Sequence, residues 1–242
     1  MNHIFREPNM LRDRVTTDQI SEFLDYIAQM DKNGSDRLPS LTDLSKELGI
    51  SVATLREQLE VARAMGLVEV RPRTGIRRLP YSFLPAIRTS LAYALRVDPQ
   101  CFQAYSDLRK HIESTFWFQA VALLTQEDHQ RLRELISSAQ KKLNGSPAQV
   151  PHQEHRELHL LIYSHLDNPF VTGILEAYWE AYEAIGLNVF TDYNYLQRVW
   201  QYHQKMVEAI CAGNFTAGYQ ALVEHVDLLD QRSPISPRQM FE

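Results

Sequence analysis

Cysteine is nearly absent. Cys101 and Cys211 are the whole complement of a 242-residue chain, too few for a disulfide framework and in keeping with a reducing cytosol. Long apolar runs are missing too. No stretch approaches the roughly 18 residues that a membrane-spanning helix needs. The start, MNHIFREPNML, lacks the basic-then-apolar layout of a signal peptide. There is no nucleophile elbow, phosphate loop or dinucleotide fingerprint, the motifs that mark many hydrolases and nucleotide-binding enzymes. No internal repeat recurs. The expectation is a cytoplasmic protein with no membrane segment.

A basic excess is also missing. The net charge is −5, which taken alone argues against nucleic acid. Its distribution argues otherwise. Residues 1–80 carry 12 basic and 12 acidic side chains, so the whole deficit lies in the remainder. Within the neutral part, RPRTGIRR (residues 71–78) holds four arginines and no acid. Local clustering matters more for phosphate contact than the total does.

What the chain does have is apolar material in helical spacing. With 44% hydrophobic and 10% aromatic residues it can bury a sizeable core, and its length suits a small domain followed by a larger one. Residues 17–30 set Ile20, Phe23, Leu24 and Ile27 three and four apart. Ser40 is an expected N-cap for a short helix through Leu41, Leu44 and Leu48, ended by Gly49. Ser51 caps a further helix with Leu55, Leu59, Ala62 and Met65 on its apolar face, ended by Gly66. LVEVR and IRRL flank a Pro-Arg-Thr-Gly turn and read as a hairpin.

PYSFLP (80–85) reads as a linker, and helices are expected at 86–97, 100–119, 126–143, 152–166, 169–185, 192–212 and 215–231. The domains are therefore 1–79, a linker at 80–85, 86–232, and a loose tail at 233–242. The expected fold is mainly α, with an N-terminal winged helix-turn-helix of three helices and a small β-hairpin, then an all-α bundle.

A helix, a helix-turn-helix pair and an arginine-bearing hairpin, in that order, make a DNA reader. The second helix of the pair presents its first residues to base edges in the major groove. The wing grips phosphates or enters the minor groove. LPSLTDLSKELGISVATLREQLEVARAMGLVEVRPRTG resembles the DNA-binding domain of the GntR family. Leu38-Pro39-Ser40, Leu44, Leu48-Gly49-Ile50-Ser51, Leu55-Arg56-Glu57, Leu59 and Gly66-Leu67-Val68 carry the match. The resemblance implies that Ser51, Thr54 and Arg56 face DNA from the helix, with Arg71, Arg73, Thr74 and Gly75 in the wing. Val52 stands where the family usually has arginine, and Thr42 where relatives often have a basic residue. Valine makes no bidentate guanine pair but can touch a thymine methyl.

The second constellation is histidine. In HRELH, His155 and His159 are four apart and share a helix face. His203 and His225 lie in two later helical stretches on either side of Gly213-Asn214. Side chains from facing helices converging inward can hold a metal in a bundle, and imidazole suits zinc, nickel, copper or iron. Spacing alone leaves ordinary histidines as the alternative. His111, His129, His152 and His165 show how common the residue is here, and His152 shares the 155/159 face as neighbour or rival.

Residues 100–232 resemble the FCD domain, the ligand-binding part of FadR-type GntR regulators. Leu108-Arg109 with Ile112-Glu113, Leu158-His159 with Asn168-Pro169, Tyr202-His203, Ile210, Gly213-Asn214, Ala217 and His225 carry it. Many members bind a divalent metal through an aspartate and three histidines, beside a small organic acid. The resemblance maps the histidines onto His159, His203 and His225, and the aspartate onto His155. That exchange removes a negative charge and favours nitrogen-preferring ions such as zinc or nickel. Arg109 is the candidate for the effector's carboxylate, with an ion pair to Glu113 at i+4 as the alternative. The aromatics Tyr163, Tyr178, Trp179, Tyr182, Tyr195, Trp200 and Tyr202 line a pocket or fill the core. The expected partners are a palindromic operator, a small organic acid and a second copy of the chain.

Three alternatives remain. A metal-dependent hydrolase of the HExxH type needs glutamate directly after its first histidine, where Arg156 stands. Glu157 would lie about 200° around the helix from His155, away from a metal. A metal-free regulator of acyl compounds would not need three histidines, and a metal that only holds the bundle together would not respond to an effector.

Overall fold

The computed structural model describes residues 20–30, 34–185 and 192–230. The expected tail at 233–242 and the first residues of the helix expected at 17–30 lie outside them. The chain divides between Ser82 and Phe83 into two compact units.

The first unit holds α1 (Glu22–Gln29), α2 (Leu41–Leu48), α3 (Val52–Ala64) and a hairpin of β1 (Val68–Arg71) and β2 (Gly75–Arg78). Each helix starts on a serine. The hydroxyls of Ser21, Ser40 and Ser51 accept from the backbone N–H three residues on, satisfying donors that the helix itself leaves unpaired. Gly49 ends α2 at φ 71°, a left-handed conformation that glycine adopts without Cβ strain. The strands pair antiparallel, Val68 opposite Arg78 and Arg71 opposite Gly75. Phe23, Ile27, Leu38, Leu44, Leu55, Leu59, Ala62, Val68 and Ile76 form one core. Each large apolar side chain there contributes about 1.5–3 kcal/mol by leaving water. Two expected core positions differ: Ile20 and Met65 are exposed, at 44% and 37%. Ile20 precedes the N-cap of α1, and Met65 caps the C-terminus of α3.

The second unit is all α: α4 (Leu84–Val97), α5 (Cys101–Val121), α6 (Gln126–Leu143), α7 (His152–Ile162), α8 (Pro169–Ala184), α9 (Tyr193–Cys211) and α10 (Phe215–Asp230). α4 begins inside the segment expected to be linker, because Pro85 fits the first turn of a helix, where no N–H is needed. α7 stops four residues short of the expected 166. Asn168 precedes Pro169, is held extended at φ −143°, and caps α8 through Oδ1 bonds to the N–H groups of Phe170 and Val171. The helix expected at 126–143 begins with a full capping box between Thr125 and Asp128.

The main core gathers Trp117, Leu132, Leu135, Leu158, Ile162, Leu175, Trp200, Met206, Ile210 and Leu222 among others. Trp117 Nε1 donates to the Phe215 carbonyl at 2.9 Å, tying α5 to the start of α10. Gly218 lets α10 seat there, since a Cβ at that position would lie 2.7 Å from the Trp117 ring. No helix among the described residues is long and apolar enough to cross a membrane.

Candidate metal centre and DNA-reading surface

On the first unit, the expected DNA-facing residues lie at two places, and all but Val52 are exposed. Ser51 is the N-cap of α3, its Oγ also 2.8 Å from Thr54 Oγ1. Both are exposed, as is Arg56, while Val52 is half-buried as the first residue of the helix. Arg71, Arg73, Thr74 and Gly75 form the exposed hairpin tip. Arg73 and Gly75 have positive φ, 68° and 83°, so backbone conformation as well as charge shapes the tip. Arg71 is partnered, its guanidinium 2.9 Å from Glu69. Arg78 does not reach outward. It bonds the Met30 carbonyl at 2.8 Å and lies near Asp36, so one of the four arginines holds the fold together.

On the second unit, three helices bring four imidazoles together. α7 supplies His155 and His159, α9 supplies His203 and α10 supplies His225. One ring nitrogen from each lies within 4.8 Å of all the others. His159 Nε2 is 3.1 Å from His203 Nε2, which is 3.2 Å from His225 Nε2. His159, His203 and His225 are buried, at 1%, 0% and 0% exposure. His155 is half-buried, but its Nε2 is enclosed and has no hydrogen-bond partner among the described residues. Trp179 and Trp200 pack edge-on against that ring, at centroid distances of 4.7 and 6.1 Å.

These residues fit a metal. Burial drives His155, His203 and His225 well below the ordinary histidine range, and neighbouring cationic groups push the same way. Burial lowers His159 too, against the pull of Glu113. The rings are therefore neutral at pH 7, the form that ligates. Each neutral ring has one nitrogen lone pair, and four such lone pairs converging here could be shared by one cation. Four nitrogens at tetrahedral corners around zinc stand about 3.3–3.4 Å apart, close to the contacts at His203.

The surroundings were only partly foreseen. Arg109, Glu113 and Trp117 lie four apart on the buried stripe of α5. Arg109 takes the ion pair that its spacing allowed, Nη2 to Glu113 Oε2 at 3.0 Å, and its guanidinium lies 4.5 Å from the Tyr178 ring centroid and 5.2 Å from that of Trp179. Burial opposes both charges. The pair still stays ionised, each partner holding the other in its charged form. Both reach His159: Glu113 Oε1 is 3.1 Å from Nδ1, and Arg109 Nη2 is 2.9 Å from the same atom. Glu113 thus stands where a carboxylate would orient His159 through its far nitrogen if that ring held a metal. Sequence reasoning gave it no such role. The only local signal was the i, i+4 pairing with Arg109.

The remaining candidates fall outside the cluster. His152 Nε2 meets Glu183 at 2.8 Å with its ring stacked on Tyr182, so it is a neighbour and not a rival. His165 bonds Asp128, and His111 bonds the Asp107 carbonyl. Glu157, the misplaced glutamate of HRELH, pairs with Arg131 at 2.6 Å on the surface. It offers no general base to a metal-bound water.

Comparison with known proteins agrees. The FCD domain family model matches residues 105–228. The chain is 25% identical over 211 residues to the HTH-type transcriptional regulator LutR of Bacillus subtilis (strain 168), covering 81% of this chain and 93% of that protein. It is 24% identical over 213 residues to the Uxu operon transcriptional regulator of Escherichia coli (strain K12), covering 86% and 82%. Its fold resembles that of Streptococcus agalactiae GntR, with a TM-score of 0.64 at 17% identity over 87% of this chain and 96% of that one. These curated relatives are regulators, not enzymes. The chain belongs to the GntR family of transcriptional regulators, in the FadR-type subgroup that carries an FCD domain.

Proposed function

We infer that the protein is a metal-dependent, effector-responsive regulator that works in the cytoplasm as a homodimer on a palindromic operator. The observation that carries this reading is the convergence of four neutral imidazoles in the helical unit. His155, His159, His203 and His225 would hold a divalent metal, zinc or nickel by the all-nitrogen donor set. Bound there, the metal supplies a fixed positive charge facing an anionic effector. Four neutral ligands leave it about +2, where an aspartate in place of His155 would leave about +1.

The effector is a small carboxylate. Arg109 Nε is buried and has no partner among the described residues, which leaves it a donor to offer. The guanidinium fork suits a carboxylate.

On the DNA side, Ser51, Val52, Thr54 and Arg56 read the operator from α3. Arg71, Arg73, Thr74 and Gly75 hold its backbone from the wing. Val52 selects against the guanine that an arginine there would prefer. Site selection from random DNA tests this, and recovery of the usual family half-site would refute the Val52 reading.

For the regulator as a whole, the test is operator binding by the selected DNA with and without a chelator. A change of about 5–150-fold is expected, the usual size of coupling between two sites. An affinity indifferent to metal would reduce the cluster to a structural role.

A further inference from the structure

His159 is held at Nδ1 by two groups that require opposite proton placements. Arg109 only donates. For its Nη2, at 2.9 Å, to bond Nδ1, that nitrogen must carry a lone pair. In a neutral ring the proton then sits on Nε2, the atom that faces His203 at 3.1 Å. This tautomer cannot ligate a metal through Nε2. Glu113 only accepts. For its Oε1, at 3.1 Å, to bond Nδ1, the proton must sit on Nδ1, and Nε2 becomes free to ligate. Both contacts are buried, and Arg109 and Glu113 are themselves paired at 3.0 Å.

His203 and His225 have no such control at Nδ1. Nδ1 of His203 and Nδ1 of His225 are buried and without hydrogen-bond partners among the described residues. Their proton placement is set only by the Nε2 contacts within the cluster.

We propose that His159 is the gate of the metal site. Arg109 holds the metal-free ring in the tautomer that refuses metal, and Glu113 holds the tautomer that accepts it. To hold a metal the ring would lose its Nε2 proton to solvent and take one from solvent at Nδ1, so it would neither gain nor lose charge. The same step releases Arg109 Nη2 from His159. A carboxylate that draws on Arg109 removes the donor opposing the metal, and metal binding frees that donor for the carboxylate. Each ligand therefore raises the affinity of the other by the same factor. This inference rests on the metal reading above and concerns Arg109 and Glu113 as positioning residues.

The test uses the full-length protein labelled with 15N-histidine, zinc alone as the probe, and long-range proton–nitrogen correlation at pH 8. His159 is expected as the Nε2–H tautomer in zinc-free protein and as Nδ1–H after one equivalent of zinc. Two variants test the assigned roles by zinc competition. Arg109→Lys keeps a cation for Glu113 but shortens its reach. It is expected to move the zinc-free ring toward Nδ1–H and to raise zinc affinity about tenfold, the worth of one charge-assisted hydrogen bond. Glu113→Gln is expected to lower zinc affinity by about 10–100-fold.

If either variant fails to fold, the wild-type spectra alone decide. Zinc bound with the zinc-free ring already Nδ1–H overturns the gate and leaves the metal reading standing. No zinc bound at all overturns both. Folded variants that leave tautomer and affinity unmoved overturn the roles given to Arg109 and Glu113.

Discussion

The two units carry their functional residues in opposite ways. In the first, the side chains proposed to face DNA are mostly exposed and borne by one helix start and one hairpin tip. In the second, the candidate site side chains are buried or half-buried and come from helices far apart in the chain: α5, α7, α9 and α10. A surface reader is specified locally and costs its fold little. A buried polar cluster must be satisfied by its own members or by a ligand, because an unpaired polar group out of water is expensive. A change at an exposed arginine of the reading surface should therefore alter binding without stability, and a change at the cluster should alter both.

The largest expected effect is at the cluster. His203→Ala removes the imidazole whose Nε2 meets both His159 and His225. Stoichiometric zinc or nickel should be lost on metal analysis, while an isolated first unit, if it folds, has nothing to lose by it. Retention of full metal occupancy would mean that the ligands have been wrongly assigned. Next is Arg56→Ala on the exposed face of α3. Operator affinity should fall about 5–150-fold, the worth of one bidentate base contact, with melting temperature and metal content unchanged. A drop in stability instead would make Arg56 structural and blur the contrast between the units.

Acid separates the units next. Unfolded histidines protonate near pH 6.5, whereas burial holds His155, His203 and His225 well below that when folded. Below pH 6.5 the unfolded chain binds more protons, so metal-free stability falls as pH drops from about 7 toward 5. Above that window both states are neutral and the effect vanishes. Three such groups give a slope of up to about 4 kcal/mol per pH unit. Urea melts across this range check it, with a flat profile counting against neutral buried rings.

A smaller effect is expected from Gly173→Ala in α8. The added Cβ would meet the Leu84 backbone nitrogen at 2.9 Å and Phe83 at 3.0 Å. Overpacking of this kind costs about 1–3 kcal/mol, visible as an earlier thermal transition with DNA contacts untouched. Smallest is Arg131→Ala, which removes the half-exposed pair to Glu157. It should cost under about 1 kcal/mol, and a larger loss would show that the HRELH glutamate does more than pair on the surface.

The same contrast explains what could be read from sequence. Ser40, Gly49 and Ser51 announce their helix ends through local chemistry, and the structure uses each as expected. The convergence of His159, His203 and His225 is not local. Helical spacing puts His155 beside His159, but only the resemblance to the FCD domain joined them to residues about 45 and 65 positions on. Glu113 escaped altogether as an orienting group. Its i, i+4 relation to Arg109 explained it fully, and nothing nearby in sequence points to a histidine 46 residues away. The early end of α7 was missed because Tyr163, Ser164 and His165 all tolerate helix, and the stop comes from the extended Asn168-Pro169 start of α8.

Under the proposed reading, His155 completes an all-imidazole metal site at the position where the family resemblance implies a carboxylate. X-ray absorption on protein purified without chelator tests it most directly. The expected result is one zinc or nickel per chain with a nitrogen shell at about 2.0–2.1 Å, whose imidazole scattering drops by one ligand in His155→Ala. Absence of stoichiometric metal, or an imidazole count unchanged in that variant, would contradict it.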